Sequence, residues 1–133
     1  MSQFQRVLIP THSDDRGSLS VMQDLLPFAV ERIFWIYGAD GMTRGGHRHR
    51  QCRQALVAMG GSVSVFMDDG NHTETVVLAS PGECLLVEPE DWHSMMFGSH
   101  ATLLVFASHC FDQDDYIDAP YGATCHGISG VET

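Results

Sequence analysis

The chain contains no lysine, and all seven of its basic residues are arginine. That absence removes Schiff-base catalysis and the phosphate-binding P-loop, both of which depend on a lysine amine. Positive charge of any kind is scarce: 17 acidic residues leave a formal net charge of −10. Sequence-independent nucleic-acid binding, which needs many cations on one surface, is therefore not expected. No apolar run reaches the roughly 18 residues of a membrane helix. The opening Met-Ser-Gln-Phe-Gln-Arg also lacks the apolar centre of a signal peptide. These features predict a cytoplasmic protein with no membrane partner. Cysteine pairs are missing too. Cys52, Cys84, Cys110 and Cys125 are widely spaced and form no C-x-x-C motif, so separate thiols are expected rather than disulfides or zinc.

No long segment carries a helical period. Instead, short β-prone runs recur at residues 6–10, 18–22, 32–38, 55–59, 62–67, 73–78, 84–88, 92–97 and 101–107. Turn signals separate them, among them Gly60-Gly61, Asp68-Asp69-Gly70-Asn71 and Pro81-Gly82. Consecutive antiparallel hairpins of this kind predict an all-β sandwich or jelly-roll barrel. A length of 133 residues suits one domain. Its core is expected over about residues 5–117, with one helical turn within 112–117 and an irregular tail over 118–133. Met59 and the run Met95-Met96-Phe97 are assigned to the core.

Four of the seven arginines fall within residues 44–54, Arg-Gly-Gly-His-Arg-His-Arg-Gln-Cys-Arg-Gln. Read as a strand, the period of two puts His47 and His49 on one face and Arg48 and Arg50 on the other. Two chemistries suit such a pair of imidazoles. With His93 as a third ligand, they can hold a metal ion. Without a metal, an intrinsic pKa near ~6.5 lets them accept and return a proton at cellular pH. The layout of Gly, His47-x-His49 and a later His93 after a proline resembles the cupin pattern, which asks for a glutamate a few residues beyond the second histidine, and this chain has Arg53 and Gln54 there. A guanidinium repels a cation and an amide replaces a carboxylate weakly, which favours proton transfer. Moving a proton between carbons beside a ketone needs a base, a proton source and donors for the enolate oxygen. His47, His49, Tyr37 and Arg44 are groups of those types. Arg16, on a tight polar turn, is a candidate anion ligand, and Gln54 and His93 are candidate substrate contacts. His12, His72, His100, His109 and His126 are expected at the surface.

Several segments together carry a resemblance: Asp15-Arg-Gly-Ser-Leu19, Leu26-Pro-Phe28, Arg32-Ile-Phe-Trp-Ile-Tyr-Gly38, Arg44-Gly-Gly-His-Arg-His-Arg50, Asp68-Asp-Gly70, Glu88-Pro-Glu-Asp-Trp-His93 and Phe111-Asp-Gln-Asp-Asp-Tyr-Ile117. In this order the chain resembles the dTDP-4-keto-6-deoxyhexose 3,4-ketoisomerases, small jelly-roll cupins of the WxcM-like group. The resemblance implies a cupin barrel acting on a dTDP-linked 4-keto-6-deoxy sugar through an enediol, with no metal or other cofactor. It implies that His49 is the base at C3 and His47 its catalytic partner. Tyr37 would lie close to the sugar, and Arg44 and Arg16 would contact the substrate or its diphosphate. It further implies a homodimer, with possible exchange of an N-terminal strand. A metal-dependent cupin using His47, His49 and His93, or a non-catalytic sugar-nucleotide-binding cupin, is the alternative.

Overall fold

The computed structural model describes residues 4–122. The strands, in chain order, are β1 (Arg6–Leu8), β2 (Thr11–Asp14), β3 (Gly17–Ser20), β4 (Arg32–Ile36), β5 (Thr43–His49), β6 (Gln54–Gly60), β7 (Val63–Asp68), β8 (Thr73–Leu78), β9 (Glu83–Val87), β10 (Trp92–Phe97), β11 (Thr102–Ala107) and β12 (Tyr116–Ile117). A 3-10 turn, Gln113–Asp115, precedes β12. Five strands form one sheet in the order β1-β9-β6-β11-β4, and five form a second in the order β12-β5-β10-β7-β8. Every strand pair is antiparallel. The predicted all-β jelly roll is the architecture observed.

Alternation along the strands explains why the sheets face each other. On β7, Val63, Val65 and Met67 are buried while the residues between them are partly exposed. They meet Leu56, Leu85, Leu103 and Val105 of the other sheet in one apolar core. Each fully buried side chain of this size contributes roughly 1.5–3 kcal/mol. The opposite face of the first sheet carries a second cluster, in which Val57, Leu86, Leu104 and Phe106 pack with Met22, Leu25, Leu26 and Phe28. This explains why β11 reads as apolar on both sides.

Three local expectations need correction. Residues 44–54 are not one strand: β5 ends at His49, and β6 begins at Gln54. The chain turns between them because Asp115 accepts the Gln51 and Cys52 amides while Arg50 Nε donates to the Asp114 carbonyl. Met59 and Met96 are not core residues. Both lie on outward faces of their strands, half exposed.

A bulge in β5 has direct consequences for the site. Opposite β10, His47 pairs with His93 but Gly45 already pairs with Ser94, so one residue is extra on β5. Gly45 has φ +87°, and a Cβ there would meet the His93 carbonyl oxygen at 3.1 Å and Met95 Sδ at 3.1 Å. Glycine satisfies both the backbone angle and the close approach. The extra residue also changes side-chain parity. Arg44 and His47, three apart, would point to opposite faces of a regular strand. With the bulge, both line the same cavity.

Candidate active site

At one end of the sandwich the apolar core gives way to a cavity of about 380 Å³. Its polar wall consists of Arg32, Arg44, His47, Gln54, His93 and Tyr116. Phe34, Leu56, Met95, Val105 and Phe111 supply apolar surface. His47, His49 and His93 are all buried, and one ring nitrogen of each lies within 4.8 Å of those of the other two. His47 is edge-on to both neighbours, with ring centroids 4.9 Å from His49 and 5.0 Å from His93. Tyr116 completes the group, 4.6 Å from each of His47 and His49.

Hydrogen bonding fixes two of the rings. His49 Nδ1 lies 2.9 Å from Asp115 Oδ2. A carboxylate only accepts, so Nδ1 carries the proton and Nε2 presents a lone pair. That Nε2 is buried and has no hydrogen-bond partner among the described residues. Burial holds the His49 pKa below the ordinary imidazole value. The Asp115 hydrogen bond and charge oppose that shift, and the positive charge of Arg32 adds to it. His93 Nδ1 donates to the Asp91 carbonyl at 3.0 Å, which again leaves Nε2 as the acceptor. Its pKa is pushed down to about 4, first by burial. Both rings are therefore neutral near pH 7, and His49 has the form required of a general base.

A profile described as "FdtA: WxcM-like, C-terminal" matches residues 2–121. The chain belongs to this family. It is 39% identical over 108 residues to the TDP-4-oxo-6-deoxy-α-D-glucose 3,4-oxoisomerase of Aneurinibacillus thermoaerophilus, a match covering 78% of each chain. Among solved structures, it is similar to a 3,4-ketoisomerase from Helicobacter canadensis, with a TM-score of 0.84 and 30% identity over 89% of this chain and 92% of the other. It is also similar to a mutant of the 3,4-ketoisomerase QdtA from Thermoanaerobacterium thermosaccharolyticum in complex with TDP-4-keto-6-deoxyglucose. That match has a TM-score of 0.85 and 26% identity over 89% and 88% of the two chains.

The site of this WxcM-like chain brings together five of the seven residues singled out in the sequence: Arg44, His47, His49, Gln54 and His93. Tyr37 and Arg16 stand apart from them. Tyr37 follows the last residue of β4 on the outward face shared with Ile33 and Trp35, and is 70% exposed. The opposite face of β4, bearing Arg32, Phe34 and Ile36, lines the cavity, and of the outward-facing residues Trp35 alone also reaches its wall. Arg16 sits at the turn of the β2–β3 hairpin, paired with Asp14 at 2.6 Å. Arg53 does not face the histidines, because its guanidinium forms a two-point pair with Glu88 at 2.8 and 3.0 Å. Gln54, at the start of β6, is the neighbour that reaches the cavity wall.

Arg48 faces outward, as alternation predicts, with its guanidinium 4.1 Å from the Tyr121 ring centroid. His12, His72, His100 and His109 are exposed, and His126 lies outside the described residues. Sequence reasoning missed Asp115, Tyr116 and Arg32 as site residues. The motif of residues 111–117 was visible, but nothing local to it shows that the chain returns to pair with His49, 66 residues away.

Proposed function

We propose that this protein is a sugar-nucleotide 3,4-ketoisomerase that converts dTDP-4-keto-6-deoxyglucose to the 3-keto isomer. The observation that carries this reading is the His49–Asp115 pair: a buried neutral imidazole, oriented through Nδ1, with a free lone pair among the cavity rings. Family membership and the names of the relatives supply the substrate. His49 Nε2 removes the proton at C3. The C–H electron pair becomes the C3=C4 bond, and the carbonyl pair moves onto O4. Proton transfer between the two oxygens and delivery of a proton to C4, by His47 as it faces both other rings, gives the C3 ketone. The step is redox-neutral and atom-balanced, so no co-reactant is needed. Arg44, Gln54 and His93 are substrate contacts, whereas Tyr37, which the resemblance puts close to the sugar, stands on the outward face of this chain and takes no part in the step.

Arg16 enters through the homodimer that the resemblance implies. The β2–β3 hairpin pairs with no other strand among the described residues, and all eight of its residues are exposed. Exposed Ile33, Trp35, Tyr37 and Met59 add apolar surface on the first sheet. A second copy bringing its hairpin across would cover that surface and carry Arg16 toward a site. Sedimentation at micromolar concentration is expected to give the mass of two chains, and a single-chain mass would contradict this arrangement. The activity is tested by incubating the protein with dTDP-4-keto-6-deoxyglucose and following proton NMR. Appearance of the 3-keto isomer is expected, and unchanged substrate would contradict the reading.

The three-histidine cluster also suits a metal ion. The discriminating measurement is elemental analysis of protein purified without an affinity tag. Stoichiometric metal whose removal abolishes turnover would favour a metal-dependent enzyme over metal-free proton transfer.

A further inference from the structure

Arg32, the first residue of β4, brings a positive charge to the cavity wall. Other arginines are engaged: Arg6 with Glu74, Arg16 with Asp14, Arg53 with Glu88, Arg50 with the Asp114 carbonyl and Arg48 with the Tyr121 ring. No carboxylate pairs with Arg32 among the described residues. Its guanidinium lies over the Phe34 ring at 5.1 Å and the Phe111 ring at 5.8 Å. Its Nε is buried and has no hydrogen-bond partner among those residues. Both rings also line the cavity. The carboxylate nearest the histidines does not compensate it, because Asp115 is occupied by His49 Nδ1 and two backbone amides.

A positive charge kept in a cavity without a counter-ion is costly unless negative charge arrives or develops there. The charge of Arg32 is felt at His49, where it opposes protonation. It therefore acts on the reacting end of the cavity. The intermediate of 3,4-isomerisation carries two vicinal oxygens across the C3=C4 bond. A planar guanidinium fork can donate to both at once, which a point charge cannot.

We propose that Arg32 is a further catalytic residue of this enzyme, its guanidinium donating to the vicinal oxygens of the enediolate as negative charge develops on them. This rests on the ketoisomerase reading above. The aromatic faces of Phe34 and Phe111 hold the guanidinium in place, and His49, His47, His93 and Tyr116 surround the reacting carbons. In the ground state the ketone is neutral and gains little from the contact. The stabilisation belongs to the transition state, so kcat rather than KM should report it.

The test compares Arg32→Ala and Arg32→Lys with the wild type on dTDP-4-keto-6-deoxyglucose, after thermal melts establish that the variants are folded. Loss of one oxyanion donor predicts a fall of about 10²–10³-fold in kcat for Arg32→Ala. KM and dTDP affinity should stay within about threefold. Added guanidinium ion should restore part of the kcat of Arg32→Ala, which a structural role would not produce. Arg32→Lys, which keeps charge but loses the fork, should fall between the two, and it carries the test if the alanine variant does not fold. Unchanged kcat with weakened dTDP binding would overturn the proposal and assign Arg32 to the diphosphate. So would a kcat loss that guanidinium cannot rescue in a folded variant. A wild-type enzyme inert toward this substrate would overturn the parent reading, whereas an active wild type matched by Arg32→Ala overturns only the role of Arg32.

Discussion

His49 has one nitrogen committed and one available, and the chemistry follows from that division. Asp115→Asn exchanges an obligate acceptor for an amide that can donate, so the imidazole loses its enforced tautomer. We expect kcat to fall by about 10²–10⁴-fold, with KM little changed, since general acid–base catalysis is worth that much. Steady-state kinetics with wild-type kcat in Asp115→Asn would contradict the assignment. The pH profile has a defined sign. Burial lowers the His49 pKa and Asp115 partly restores it, so the acid limb of wild-type kcat/KM should lie below the ordinary imidazole range. Removing the carboxylate removes the restoring part. The residual activity of Asp115→Asn should therefore keep its plateau to still lower pH.

Two elements hold these residues in place. The β5 bulge puts Arg44 on the same side as the histidines. Gly45→Ala should cost about 1–3 kcal/mol, since it forces an L side chain into the left-handed region against the His93 carbonyl. Urea unfolding would measure this, and an unchanged midpoint would contradict the account. The second element is the strap of residues 111–122, which carries Asp115 and Tyr116. Trp92 Nε1 donates to the Asp118 carbonyl at 3.2 Å, Tyr121 Oη to the Glu90 carbonyl at 2.7 Å, and Arg48 lies over the Tyr121 ring. Arg48→Ala should therefore lower kcat without any contact to substrate, and cost about 1 kcal/mol of stability. Equal kcat in the two proteins would separate the strap from catalysis. These elements also mark what the sequence could reveal. Alternation and turn residues located nine of the strands and the facing of His47 and His49. The bulge, the early end of β5 and the return of Asp115 arise from pairings distant in the chain, which local pattern does not encode. That Arg53 turns away from the histidines is hidden for a similar reason: its partner, Glu88, is 35 residues away.

At the scale of the molecule, the polar end of the core makes stability depend on pH. His93 is fully buried with a pKa near 4, so below about 6.5 the unfolded chain binds a proton that the folded chain refuses. Stability is present in full above that value and is lost as pH falls toward 4, by about 3 kcal/mol from this residue. Urea midpoints measured between pH 7 and pH 4 should fall accordingly, and less so in His93→Gln. A parallel decline in both proteins would assign the loss elsewhere. The reaction itself joins all three scales, since it needs a neutral base, a bulge and strap that aim it, and a cavity built between two sheets. The most direct measurement is isomerisation of dTDP-4-keto-6-deoxyglucose in deuterated water, with NMR detection at C3 and C4. The account predicts deuterium incorporation at these carbons by the wild type and its loss in His49→Asn. Full incorporation by His49→Asn would contradict it.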